Sequence, residues 1–167
     1  TQLVSVASYT ASDANGQIAV TVNYNADDNQ LSGLGLRIHY DSSLLTVADV
    51  TDALAQDLIY TDSGYYGDTD DLDANASTDA YITVGWASVD GDWPNTELPD
   101  ELLTILFDLT GDAIAGGSAA IGFSSTSTPV GYDFSGTGYN LELIESPLSI
   151  DSATGEVTLS ENPDYDV

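Results

Sequence analysis

Apolar and polar residues alternate with a period of two along most of this chain, which is the pattern of strands with one buried face. Val4 and Val6, with Tyr9, open the first run, and the cluster Ser12-Asp13-Ala14-Asn15-Gly16 closes it in a turn. Ile18, Val20, Val22 and Tyr24 then alternate with Gln17, Ala19, Thr21 and Asn23. A polar loop at 25–30 leads into Leu34, Leu36, Ile38 and Tyr40, and Asp41-Ser42-Ser43 turns the chain into Leu44, Leu45 and Val47. Asp41 suits the first position of that turn because its carboxylate can accept from the backbone two residues on. The segment 54–60 fits a short strand or a helical turn equally well. Ile82, Val84 and Trp86 share a face, and Glu97 to Glu101 is a Pro-flanked connection. Leu103, Ile105, Phe107 and Leu109 form another alternating run. Ala119, Ile121 and Phe123 precede a Ser/Thr-rich stretch, Leu141 and Leu143 follow it, and Ile150, Val157 and Leu159 flank a turn at 152–155. No segment carries a helical period of useful length. About nine short strands joined by turns predict an all-β chain folded as a β-sandwich or jelly roll.

Charge changes the picture from fold to environment. Against 28 acidic residues stand one arginine, Arg37, and one histidine, His39, giving a formal charge of −27. Neither nucleic acid nor an anionic membrane would approach such a surface, so both are excluded as partners of a basic patch. The charge suits bound divalent cations, a saline medium that screens repulsion, or the two together. With no cysteine there is no disulfide, thiolate metal site or thiol chemistry. A calcium-dependent fold favours the outside of a cell, so the expectation is an extracellular module from a bacterial surface in a saline setting. With no leader-like stretch and ends that cut into strand and turn patterns, the chain reads as part of a longer secreted protein.

The acids are most crowded after residue 62. Asp68, Asp70, Asp71, Asp73, Asn75 and Asp79 place carboxylates and an amide at one- and two-residue spacing in a small-residue loop. Like charges so close repel unless a cation lies among them, and Ca²⁺, which takes about six to eight oxygen ligands, is the expected ion. It is not an EF-hand, since that motif's sixth-position Gly and twelfth-position Glu are both missing.

Residues 17–50 carry a family resemblance. The alternating Gln17–Val22 strand, a polar loop, and Leu31-Ser32-Gly33-Leu34-Gly35-Leu36-Arg37-Ile38-His39-Tyr40-Asp41-Ser42-Ser43-Leu44-Leu45 resemble the cohesin pattern, in which a strand leads into a Tyr-Asp-Pro-x-x-Leu corner. Ser42 stands where Pro is usual. Leu102-x-x-Ile105-x-Phe107 and the Gly116-Gly117 turn before Ile121 fit the same pattern. The resemblance covers residues 1–146 and implies a cohesin-like jelly-roll sandwich. More narrowly, Ser77-Thr78-Asp79-Ala80-Tyr81, Trp86-Ala87, Gly91-Asp92-Trp93-Pro94, Leu98-Pro99 and Ser125–Thr128 with Gly131-Tyr132 resemble cohesin-like modules of giant RTX-type bacterial adhesins. Residues 147–167 are similar to the middle of a cadherin-like repeat, Ile150-Asp151-x-x-x-Gly155-Glu156-Val157 and then Pro163-Asp164-Tyr165-Asp166. They read as the terminal strands of the same composite domain, and the resemblance implies Asp164 and Asp166 as calcium-ligand candidates.

Catalysis is a poor fit to the residues. His39 lies opposite Ile38 in phase, where a histidine is more often a surface or edge residue than a base, and no Gly-x-Ser-x-Gly elbow exists. Trp86, in phase with Ile82 and Val84, reads as core. Tyr65 and Tyr66 between Gly64 and Gly67 are candidates for a loop-tip contact patch, and Trp93 before Pro94 either covers the sandwich edge or stacks on a sugar ring. Arg37 is expected to pair with a cross-strand carboxylate. The resulting reading is a non-catalytic, calcium-stabilised adhesin module whose partner is another protein or a second copy of itself. A carbohydrate-binding module using Tyr65, Tyr66 and Trp93, and a cohesin proper binding a dockerin, are the alternatives.

Overall fold

The computed structural model describes residues 1–10, 16–110, 113 and 117–143. The cadherin-like segment, with Asp164 and Asp166, and the turn at 12–15 lie outside the described residues. Among these there are twelve strands and no helix. They are β1 (Gln2–Tyr9), β2 (Gln17–Asn25), β3 (Gln30–Leu31), β4 (Gly33–Tyr40), β5 (Leu45–Thr51) and β6 (Leu58–Gly67). After them come β7 (Ala80–Ala87), β8 (Trp93–Pro94), β9 (Asp100–Leu109), β10 (Ser118–Ser127), β11 (Phe134–Gly136) and β12 (Tyr139–Glu142). Two five-stranded sheets, ordered β11-β1-β2-β9-β5 and β12-β10-β4-β7-β6, form the sandwich, and β3 pairs with β8 in a small third sheet. All pairings are antiparallel except β1 with β11, which is parallel. The expected all-β jelly-roll sandwich is the fold observed.

The period-two pattern explains the layers. In β2 every second residue from Ile18 to Tyr24 is buried, and in β7 Ile82, Val84 and Trp86 are buried against them. Leu103, Ile105 and Phe107 of β9 and Leu34, Leu36, Ile38 and Tyr40 of β4 complete the two inner faces. Burying each large apolar side chain contributes roughly 1.5–3 kcal/mol, which is the main force holding the sheets together. Segment 54–60 resolves as irregular chain entering a strand, with Asp57 at φ 56° before β6 begins at Leu58.

Three expectations are corrected here. Trp93 is fully buried, its ring 5.0 Å from Tyr24 and 5.5 Å from Trp86, so it has no face to offer a sugar. It belongs to the core because β8 pairs with β3 and closes the mouth of the sandwich. Tyr65 and Tyr66 are not at a loop tip but on β6, the edge strand of the second sheet; the acidic loop begins only at Asp68. Arg37 makes no ion pair among the described residues; it bonds Ser124 Oγ and the Ser125 carbonyl and lies 5.6 Å from the Tyr81 ring centre.

Trp93→Ala should therefore destabilise the fold by about 3–5 kcal/mol, the range for emptying an aromatic site in a core. Urea denaturation followed by far-UV circular dichroism measures this, and a loss under about 1 kcal/mol would place Trp93 outside the core.

Candidate functional site

The outer face of the second sheet is built from the residues that alternate with the core. Cross-strand register aligns Gly122 of β10, His39 of β4, Tyr81 of β7 and Tyr66 of β6 in one row. The next row holds Ser124, Arg37, Thr83 and Asp62. The only arginine and the only histidine of the chain thus stand two residues apart on the same strand face. Tyr66 stacks on Tyr81 at 5.6 Å with 15° between the rings, and His39 lies 5.2 Å from Tyr81 on the other side. The Tyr66 hydroxyl donates to the Asp62 carboxylate beside it on β6. That bond draws the Asp62 pKa down, chiefly through the tyrosine and secondarily through the Gly64 N–H.

The acidic loop between β6 and β7 folds down onto one end of this face. Asp68 N–H donates to the Asp79 carbonyl at 2.8 Å and closes the loop's base. Successive turns follow, with Asp71 and Ala74 both in the left-handed region at φ 53° and 57°. Asp68 accepts from the Leu72 N–H, and Asn75 Oδ1 from the Ser77 N–H, so several loop acids cap local backbone. The loop's winding carries two carboxylates inward. Asp68 Oδ2 lies 3.1 Å and Asp73 Oδ1 3.8 Å from His39 Nδ1, and the three side chains are 0%, 2% and 0% exposed for Asp68, Asp73 and His39. Gly122 makes the approach feasible: a methyl there would collide with Asp73 Oδ2. Thr78, itself buried, donates from its hydroxyl to the same oxygen at 2.5 Å.

Of the six residues expected to ligate an ion together, the structure brings two into one place. Asp70 and Asp71 are exposed to solvent. Asn75 is spent on its turn, and the Asp79 carboxylate reaches the β4–β5 corner, where it accepts the Ser42 N–H at 2.8 Å and the Ser42 hydroxyl at 2.6 Å. A proline at position 42 would have neither donor, so the serine that departs from the cohesin corner ties the corner to the loop. Asp41 does accept from the Ser43 N–H at 3.0 Å, as its turn position predicts.

His39 was expected at the surface and is instead the buried centre of the cluster. Its Nε2 lies 2.7 Å from Ser124 Oγ. Its Nδ1 makes no hydrogen bond, although Asp68 Oδ2 stands 3.1 Å away. Burial lowers the His39 pKa, with Asp73 and Asp68 opposing that shift, which favours the neutral ring. The order Ser124, His39, Asp68 imitates a nucleophile, a base and an orienting acid. Ser124, however, sits within the run of β10 rather than on a sharp turn, and the Asp68 carboxylate does not hold the ring by a directed bond. Sequence reasoning missed the cluster, although one signal was available: Gly33, Gly35, Arg37 and His39 all fall on the face of β4 opposite the core.

The sequence matches no protein-family model and no curated protein. Its structure superposes on cohesin modules. The sixth cohesin of scaffoldin B from Acetivibrio cellulolyticus, solved in complex with a mutant Cel5 dockerin, is 17% identical, covers 84% of this chain and 99% of its own, and gives a TM-score of 0.55. The third cohesin of ScaC, solved with the ScaB dockerin from the same organism, is 16% identical with 87% and 100% covered and a TM-score of 0.54. CaCohA2 from Clostridium acetobutylicum, in solution, is 18% identical with 85% and 91% covered and a TM-score of 0.53. At such identities the likeness is one of fold, and the fold of this chain is that of cohesin modules.

The Asp79–Ser42 link gives a pH signature. Desolvation pushes the Asp79 carboxyl up, but the Ser42 hydroxyl and N–H pull it net below the ordinary value. A depressed folded-state pKa stabilises above the unfolded pKa and loses that stability as pH falls through the folded one. Asp79→Asn should be less stable than the parent at pH 7, by no more than ~1 kcal/mol for so exposed a group. The gap should narrow as pH drops below about 4. Equal gaps in urea denaturation at neutral and acid pH would remove the link.

Proposed function

We propose that this chain is a non-catalytic protein-binding module that engages a dockerin-type partner through the outer face of its second sheet. The observation that carries this reading is the contrast between the two outer faces. The second sheet presents Tyr60 and Tyr66, both about two-fifths exposed, beside Tyr81, Thr83 and the sole Arg37. Tyr60 lies flat across Gly85, where any side chain would displace it. Tyrosine and arginine are the residues that concentrate binding energy in interfaces. The first sheet's outer face carries the aliphatic Leu3 and Leu106 among Ala19, Thr21, Asn23, Thr104 and Asp108, with Thr21–Thr104 and Gln17–Asp108 bonds between strands, and sets no tyrosine or arginine beside them.

Two cohesins of the same fold were solved bound to dockerins, which supports a partner of that type. The surrounding acids add a further requirement. With the acidic loop rimming the aromatic face, a partner carrying basic residues at its margin associates faster, and the rate falls with salt. The carbohydrate alternative loses Trp93 to the core and keeps only Tyr65 and Tyr66, on the edge strand β6.

Biolayer interferometry against a panel of dockerin modules tests the proposal. At least one should bind, and Tyr60→Ala with Tyr66→Ala should weaken it by about 30-fold, the equivalent of a ~2 kcal/mol hot spot. Leu3→Arg, on the outer face of the first sheet, should leave affinity unchanged. The reverse sensitivity would move the interface to the other sheet, and failure of every dockerin would overturn the partner class.

A further inference from the structure

We propose that His39, Asp68 and Asp73 form a binding site for a divalent transition-metal ion of the zinc type. This stands independently of the partner proposal. The donor atoms of the three side chains lie within 4.8 Å of one another, and none of the three side chains is more than 2% exposed. Two carboxylates withdrawn from water gather negative charge that no arginine or lysine among the described residues pairs with; Arg37 directs its Nη1 to Ser124 Oγ and the Ser125 carbonyl instead. Burying unpaired ions costs several kcal/mol each, so a cation among them is strongly favoured.

The second observation is the orphaned nitrogen. His39 Nδ1 is buried, without a hydrogen bond, and lies 3.1 Å from Asp68 Oδ2 and 3.8 Å from Asp73 Oδ1. In the tautomer whose Nε2–H donates to Ser124 Oγ, Nδ1 turns a lone pair toward the carboxylate oxygens, which is repulsive until an electrophile lies between them. A metal ion at that point accepts all three donors. The opposite nitrogen, Nε2, is held by Ser124 Oγ at 2.7 Å. That is the outer-shell arrangement by which metal-binding imidazoles are oriented. Thr78 and the Leu72 N–H hold the carboxylates in the same way.

The donor set selects the ion. Imidazole nitrogen with carboxylates suits zinc and its neighbours, whereas Ca²⁺ takes only oxygens and more of them. Ligands about 2.1 Å from a tetrahedral ion stand roughly 3.4 Å apart; His39 Nδ1, at 3.1 and 3.8 Å from the two carboxylates, already brackets that spacing, and all the donor atoms lie within 4.8 Å of one another. Three protein donors leave a fourth position for water. A groove of about 730 Å³ borders the cluster on the Asp73 side, and its walls include Arg37, Asp73, Ala74 and Ser124.

The single histidine makes the test direct. Tag-free, chelator-stripped protein is titrated with ZnCl₂ or CaCl₂ in excess Mg²⁺, and the imidazole ¹⁵N resonances are followed by NMR beside calorimetry. Zinc should shift the Nδ1 resonance with one-to-one stoichiometry, while calcium leaves it in place. Asp73→Asn should weaken zinc binding by about 100-fold, the upper end of what losing even an outer-shell partner does. Gly122→Ala keeps every ligand but drives Asp73 off the sheet, and should weaken binding at least about tenfold. An Nδ1 resonance unmoved by zinc, or His39→Asn binding zinc as tightly as the parent, would leave only adventitious binding by surface acids and overturn the site. A calcium shift equal to zinc's would overturn the metal class.

Discussion

Repulsion among 28 carboxylates on a chain with a single arginine is the constraint that every part of this molecule answers to. Two unit charges about 7 Å apart in water repel by ~0.6 kcal/mol, less than half of what one buried leucine contributes. The sandwich core therefore prevails provided the acids stay in water, where each pair is weak and salt weakens it further. Among the described residues almost all of them do: the alternating pattern sends them to turns, loop tips and the outer faces, and the described inner faces bury nothing ionisable except tyrosines. Tyr24 is one of these: burial pushes its hydroxyl up to about 12, and Gln2 satisfies it at 2.7 Å.

Asp68 and Asp73 break that rule. Their loop could have remained extended in solvent like any run of aspartates. Instead, the turns at Asp71 and Ala74 wind it back onto β4, and Gly122 leaves a hole that one carboxylate fills. Local capping bonds account for the loop's compactness but not for its placement, since every cap would form equally well in a loop that stood away from the sheet. What singles out the observed placement is the tie from Asp79 to Ser42 at the corner together with the imidazole beneath the winding.

Much of the architecture was legible because it rests on periodicity. Residues 17–24, 34–40 and 103–109 alternate so cleanly that their inward faces could be assigned before any coordinates, and they are the inward faces observed. Short or irregular pairings were not legible: β3 with β8 and β11 with β1 consist of two or three residues, too few to show a period. Trp93 misled because a loop-like Trp-Pro step says nothing about which way the loop packs. The site failed for a related reason. Spacing along the chain suggested a cage of consecutive acids, but adjacent acids in a wound loop point in different directions. The partner that two of them share, His39, is nearly thirty residues away in sequence and is brought in only by the β4–β7 pairing.

The two functional readings meet in one row of side chains. Asp73 rests on Gly122, His39 follows on β4, then Tyr81 on β7, then Tyr66 on β6 at the open edge of the sheet. The first members belong to the proposed ion site and the last to the proposed binding face, and each ring lies against the next. An ion that draws His39 toward the carboxylates shifts the support under Tyr81, and a partner that clamps Tyr66 fixes the same ring from the other end. Thermodynamic reciprocity then requires that whatever the ion does to partner affinity, the partner does to ion affinity by the same factor. The size of that factor depends on how far Tyr81 moves, and its cradle, with Arg37 on one face and Tyr66 stacked at 5.6 Å, allows little motion. Were both proposals to hold, any coupling between ion and partner would pass through this single tyrosine at the end of the carboxylate cluster and would be modest.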